Sequence, residues 1–181
     1  MSNYSWLNEV DRNYIEMVDL VMLHGEDVED RTGVGTRSVV GGSWRYDLQK
    51  GYPLLSLKRT WFKGVAEELF WFLRGETNVK PLQEKGVHIW DDWSDSSGEL
   101  GPVYGAQWNR GVGEDLTQID YVLNQIRHNP TSRRIIMNAW NVDDLNKMAL
   151  WPCHVMSQWI VRNGKLHCIF YQRSADLFLG V

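Results

Sequence analysis

MSQWIVRNGKLHCIFYQ, residues 156–172, is the stretch that decides the fold. Two runs rich in β-branched and aromatic residues flank Asn163-Gly164, a dipeptide suited to the two positive-φ positions of a tight hairpin turn. The stretch therefore predicts two antiparallel strands. Upstream, RRIIMNAW (133–140) is rich in β-formers and predicts a further strand. Before that the period changes. Leu7, Val10, Tyr14, Met17, Val18 and Val21 recur at helical spacing, with Gly25 as the stop. Gly64–Arg74 (GVAEELFWFLR) is apolar on most sides and predicts a buried helix. A third helix is predicted from about Leu116 to His128, with Ile119, Val122, Leu123 and Ile126 as its apolar face. Asp115 and Gln118 imitate a capping box, and Asn129-Pro130 ends the helix.

Between the helices, the glycine turn DRTGVGT (30–36) leads into SVVGGSWRYDL (38–48), which has strand character, and Gly51-Tyr52-Pro53 marks another turn. Residues 86–108 read as a loop-rich segment that mixes turn residues with aromatics. There is no internal repeat and no linker. The pattern predicts one α+β domain over residues 1–181, a mixed but largely antiparallel sheet packed against helices.

Composition narrows the function. Nineteen basic and 23 acidic residues give a net charge of −4, which offers no support for nucleic-acid binding. Any anion site must come from a local group of arginines. Ten tryptophans favour a large core or stacking surfaces for a flat ligand. Cys153 and Cys168 are the two cysteines and form no close metal-ligand pair, a pattern that suits a reducing compartment. No apolar run approaches the length of a membrane span, and the N-terminal residues lack a basic and then apolar signal region. The expectation is a soluble, cytoplasmic protein without a metal.

Four features bear on chemistry. Cys153, in ALWPCHV (149–155), reads on composition alone as an inert, buried side chain; Pro152 fixes the backbone just before it, and a neighbouring cation, if present, would favour a reactive thiolate. His154 is adjacent, but neighbours on extended backbone point opposite ways, so it is not an obvious base. Cys168, inside an alternating strand, is the better candidate for a buried, inert thiol. Glu68 has Gly64, Val65, Trp71 and Phe72 at helical neighbour positions, and a carboxyl against apolar surface has a raised pKa suited to general acid–base work. The alternative is a Glu68 that reaches water or an arginine. Glu67, by contrast, has Lys63 four residues before it. Arg31 in its glycine turn, Arg133-Arg134 before a strand and Arg173-Ser174 after one have phosphate-clamp chemistry, although each alone reads as a surface charge. Trp90-Asp91-Asp92-Trp93 and Tyr104 place aromatics in a loop, for stacking on a heterocycle or for anchoring the loop itself.

Taken in order, DRTGVGT, EELFWFLRGETN, IWDDW, GELGPVYGAQW, SRRII, MALWPCH and YQRSADLFLG resemble successive signature segments of the thymidylate synthase family, from about Asp30 to Gly180. The resemblance implies reductive methylation of dUMP to dTMP, with 5,10-methylenetetrahydrofolate as both carbon donor and reductant. Cys153 matches the nucleophile that adds to carbon 6 of the pyrimidine. Glu68 matches the general acid/base, and Tyr104 a residue near the proton lost from carbon 5. Arg31, Gln172, Arg173 and Ser174 match substrate ligands, with Arg173 also favouring the thiolate. Arg133 and Arg134 match a pair that each subunit lends to its partner's site, which implies a homodimer. Lys58, Trp90, Trp93 and Asp176 match folate contacts, and Asp176 a nucleotide contact as well.

Three substitutions depart from the family pattern: Trp151 where a small residue or proline is usual, Val34 for threonine, and Ala175 for cysteine or valine. In the family, further segments carry an asparagine that reads the pyrimidine and a His-x-Tyr that binds the sugar. Their absence here leads us to expect an N-terminal portion with little activity by itself. A deoxypyrimidine nucleotide hydroxymethylase of the same fold, acting on dUMP or dCMP, and a non-catalytic fragment stay open as alternatives.

Overall fold

A computed structural model describes residues 4–29, 33–113 and 115–180 of the 181-residue chain. The chain divides into two compact units, Met1–Thr60 with Ala175–Val181, and Trp61–Ser174.

The first unit is built on helix α1, Glu9–His24. Its N-cap, Asn8, accepts the Asp11 N–H at 2.9 Å, and Gly25 follows its last residue as the sequence predicts. Tyr14 and Met17 are buried on one face against Leu55, with Leu177 packed on the same cluster. Strands β1 (Glu26–Val28) and β2 (Thr36–Ser38) form an antiparallel pair, braced by an Arg37–Asp27 ion pair of 3.0 Å. The strand predicted over 38–48 stops at Ser38. Val40 is fully exposed and Gly41 takes a positive φ of 74°, which interrupts the pleat. After Ser38 no strand pairs with this segment among the described residues, and it runs into a 3₁₀ turn at Leu48–Lys50.

The second unit begins with α2, Phe62–Leu73. Gly64, Trp71 and Phe72 are buried, but Val65, Leu69, Phe70 and Leu73 are 41–53% exposed. The expectation of a helix buried on most sides is thus corrected: it buries one face only. Glu67 is paired, but with Lys85 rather than Lys63, whose ammonium donates to the Lys85 carbonyl. The segment predicted as loop-rich carries more structure than its composition suggested. A short helix α3 (Lys80–Gln83) precedes it, and it contains a 3₁₀ turn at Asp91–Trp93 and helix α4 (Tyr104–Trp108). Trp71, Phe72, Trp90, Val103, Tyr104 and Met148 form the centre of its core. Gly105 lets α4 approach the turn after α2: a Cβ there would lie 2.2 Å from the Glu76 carbonyl oxygen.

Strands β3 (Gly111–Val112) and β4 (Leu116–Thr117) pair antiparallel, and α5 follows as Gln118–His128. Because Leu116 and Thr117 are held in that ladder, the helix starts later than predicted. Its capping box is Thr117 with Asp120, not Asp115 with Gln118. Val122 is buried and Asn129 ends the helix, while Leu123, predicted on the apolar face, is 46% exposed.

Strands β5 (Ile136–Asn138), β6 (His154–Arg162) and β7 (Lys165–Gln172) form an antiparallel sheet in the order β5-β6-β7. The hairpin predicted from Asn163-Gly164 is present, with φ of 51° and 71° at the two turn residues. Cys168, expected to be buried, lies opposite Trp159 on β7 and is exposed. The predicted alternation is absent from its burial: every residue from Lys165 to Tyr171 is exposed. The class is α+β, with every described strand pairing antiparallel rather than mixed. No helix among the described residues is long and apolar enough to cross a membrane.

Candidate active site

In the second unit the sequence candidates converge on Cys153. It sits between Pro152, which is fully buried, and the first residue of β6, and its thiol is partly accessible. Three contacts fix its backbone. The Tyr104 hydroxyl accepts the N–H groups of Cys153 at 2.7 Å and His154 at 3.1 Å. The Cys153 carbonyl accepts the N–H of Arg173 at 3.0 Å, which ties the cysteine turn to the end of β7. Arg173 closes the clasp: its Nε donates to the Pro152 carbonyl at 2.8 Å and its Nη2 to the Trp151 carbonyl at 3.0 Å. The guanidinium thus holds the turn that carries the cysteine. Gln172, at the end of β7, pairs in register with His154.

Tyr104 is 4% exposed, wrapped by the rings of Phe72 at 4.8 Å, Trp90 at 6.2 Å and Trp108 at 6.2 Å. Burial pushes its hydroxyl pKa up; the two backbone N–H groups it accepts act in the opposite sense without reversing the shift, and the negative charges that Cys153 and Glu68 can carry add to the rise. A neutral phenol is what the geometry needs, since it accepts two backbone N–H groups and retains a proton to give.

Glu68 lies on α2, and burial raises its carboxyl above the ordinary range, as its apolar helical neighbours suggest. Its one direct hydrogen bond among the described residues comes from the Trp90 indole N–H, at 2.7 Å to Oε1, and acts in the opposite sense. Trp90 is 6% exposed, its ring tilted against Trp71 at 6.0 Å and edge-on to Phe72 at 6.2 Å. Trp93, in the following 3₁₀ turn, is 37% exposed.

Arg133 and Arg134 precede β5 with exposed side chains that have no hydrogen bond or ion pair among the described residues, while the Arg133 carbonyl accepts from Gln158 and that of Arg134 from Tyr121. Ser174 is exposed just beyond Arg173. Lys58 and Asp176 belong to the first unit. The Lys58 ammonium donates to the Phe178 carbonyl at 2.8 Å and lies 5.7 Å from the centre of the Tyr14 ring. Asp176 Oδ1 accepts the N–H groups of Phe178 and Leu179, each at 2.8 Å. Arg31 lies outside the described residues.

Sequence reading gave His154 no role. Burial lowers its pKa, and the ring lies between Tyr104 at 5.5 Å and Phe170 at 5.2 Å, a neutral filler behind the cysteine. Trp151, without explanation in the sequence, meets Trp140 edge-on at 5.7 Å. Gln107 was missed: buried on α4, it donates to the Pro102 carbonyl at 2.9 Å and to Asp144 at 3.0 Å, and so fixes the helix that presents Tyr104. Its partner is 37 residues distant, and no local pattern announces it. Among the described residues no three His, Cys, Asp or Glu side chains gather as a metal ion requires.

The family model for thymidylate synthase matches residues 12–181. The chain belongs to the thymidylate synthase family. The nucleophile, acid/base and tyrosine positions that the resemblance assigns, widely spaced in sequence, thus fall in one connected cluster of the second unit of a thymidylate synthase family chain.

Proposed function

We propose that this protein contributes the Cys153 site of a dUMP methyltransferase, forming dTMP with 5,10-methylenetetrahydrofolate as co-substrate. The observation that carries the reading is the Tyr104 hydroxyl, bonded to the Cys153 and His154 N–H groups within an aromatic wall that also holds Glu68 through Trp90. In the proposed reaction the Cys153 thiolate bonds to carbon 6 of the pyrimidine, and the displaced π electrons make carbon 5 nucleophilic. Glu68, with its raised pKa, exchanges protons at the pyrimidine oxygen and the folate. Tyr104 orients the water or base that removes the carbon 5 proton. The folate supplies the one-carbon unit and a hydride. When the carbon 5–carbon 6 double bond re-forms, Cys153 leaves as the thiolate.

Arg173, already anchored to the cysteine turn, would bind the nucleotide phosphate with Arg31, Gln172 and Ser174, and in the same reading it favours the thiolate. Arg133 and Arg134, exposed and unpaired among the described residues, suit the role of a pair lent to the partner subunit of a homodimer. Lys58, Trp93 and Asp176 would meet the folate, and Trp90 would exclude water from it; Asp176 would meet the nucleotide too. Free thiols at Cys153 and Cys168 support a cytoplasmic setting.

The test is release of tritium from carbon 5 of labelled dUMP by the complete gene product. Release should require folate and Cys153. A Cys153→Ala enzyme that still releases tritium refutes the covalent mechanism, and release without methylation of the product refutes the methyltransferase in favour of a hydroxymethylase.

A further inference from the structure

Asp11 is 1% exposed, a carboxylate taken out of water on the first turn of α1, and the chemistry above does not use it. Such a group is retained only if its oxygens are bonded, and they are. Oδ1 accepts the Ser56 N–H at 2.9 Å. Oδ2 accepts the Ser56 hydroxyl and the Asn8 amide, the latter at 2.7 Å. Burial pushes the Asp11 pKa up, but these bonds outweigh it and leave the carboxyl below its ordinary value, so it is ionised at neutral pH.

Two of these bonds go to Ser56, two residues before Lys58. One turn further along α1, Tyr14 receives Leu55 in its apolar cluster and lies under the Lys58 ammonium. Asp11 thus holds the middle of the 55–58 segment and Tyr14 meets both of its ends. Lys58 in turn bonds the Phe178 carbonyl, in a segment whose backbone Asp176 caps and whose Leu177 packs on the Tyr14 cluster. The whole relay lies inside the first unit.

We propose that Asp11 is a positioning residue for Lys58, fixing the backbone from which its ammonium meets the anionic tail of the folate co-substrate. The inference rests on the assignment of Lys58 to folate in the proposed function. Asp11 touches no substrate. Its effect is on the conformational freedom that Lys58 must lose on binding, and so on folate affinity rather than on chemistry.

Steady-state kinetics of the complete gene product, with Asp11→Ala, Asp11→Asn, Lys58→Gln and the Asp11→Ala/Lys58→Gln pair, test it alongside amide hydrogen exchange at Ser56. Asp11→Ala should raise the folate KM about three- to tenfold, as expected for loss of one ordered charged contact, and leave kcat and the dUMP KM nearly unchanged. Asp11→Asn, which keeps an acceptor for the Ser56 N–H, should recover most of the loss. The pair should be no worse than Lys58→Gln alone. Exchange at Ser56 should quicken in Asp11→Ala. Unchanged exchange there, or losses that multiply in the pair, or an equal rise in the dUMP KM, overturns the inference alone. A Lys58→Gln enzyme with unchanged folate KM overturns the Lys58 assignment as well.

Discussion

Replacing Trp90 with phenylalanine keeps a ring in the aromatic cluster and deletes one polar contact, the 2.7 Å bond from the indole to Glu68. Burial already drives the Glu68 carboxyl toward its protonated form, and this bond opposes that drive. A hydrogen bond to a charged group contributes about 1.5–3 kcal/mol, and about 1.4 kcal/mol is a factor of ten in a protonation equilibrium. Glu68 is only half-buried, so water recovers part of the loss. We expect Trp90→Phe to raise its affinity for a proton about tenfold. A carboxyl whose native-state pKa is raised stabilises the fold while protonated; that contribution is full below the unfolded-state pKa and is lost as pH rises through the native one. The stability deficit of Trp90→Phe should therefore be about 1 kcal/mol larger near pH 7 than near pH 4 by urea denaturation. In a Glu68→Gln background that pH-dependent part should vanish. Under the proposed function, the acidic limb of the kcat/KM profile should also move to higher pH. A deficit equal at both pH values, or an acidic limb that stays in place, would refute the assignment of this bond as the counterweight to burial.

Other expectations follow from single contacts. Tyr104→Phe strips the acceptor from the Cys153 and His154 N–H groups, which should lower stability by about 1–3 kcal/mol in urea and reduce kcat while the dUMP KM changes less. Asp11 has a lowered native pKa, so its contribution is present above the unfolded-state value and lost as pH falls; Asp11→Ala should flatten the acid side of the stability profile. A double-mutant cycle of Trp140→Ala and Trp151→Ala should give a coupling of about 0.5–1.5 kcal/mol, and a coupling near zero would remove the edge-on pair as the role of Trp151.

Local signals were readable where local physics dominates. Asn163-Gly164 specifies its hairpin because few other residues take two successive positive φ values, and α1 stops at Gly25 for a reason internal to the helix. Glu68 declared its raised pKa through neighbours three and four residues away on the same helix. Readings failed where a distant partner decides. The 38–48 segment has strand composition but, after Ser38, no described strand to pair with. Helix α5 begins at Gln118 because Leu116 and Thr117 are claimed by a ladder with Gly111 and Val112. Cys168 has the alternation of a half-buried strand, yet burial needs a covering layer, and composition does not reveal whether one is there. The site divides the same way. Cys153 and Glu68 stand out as candidates in the sequence, whereas the Trp90 indole on Glu68 and the Arg173 guanidinium on the Trp151 and Pro152 carbonyls join residues 22 apart or nearly so.

Arg173 makes one more point about the molecule. A guanidinium carries five N–H donors, and the two carbonyl bonds before Cys153 use two of them. Three remain to meet an anion without letting go of the turn. In the proposed reaction an anion bound there would be mechanically continuous with the backbone beneath the thiol: its arrival would stiffen that backbone, and slack in it would weaken the grip on the anion. Occupancy and readiness would then become one variable, carried by a single planar side chain.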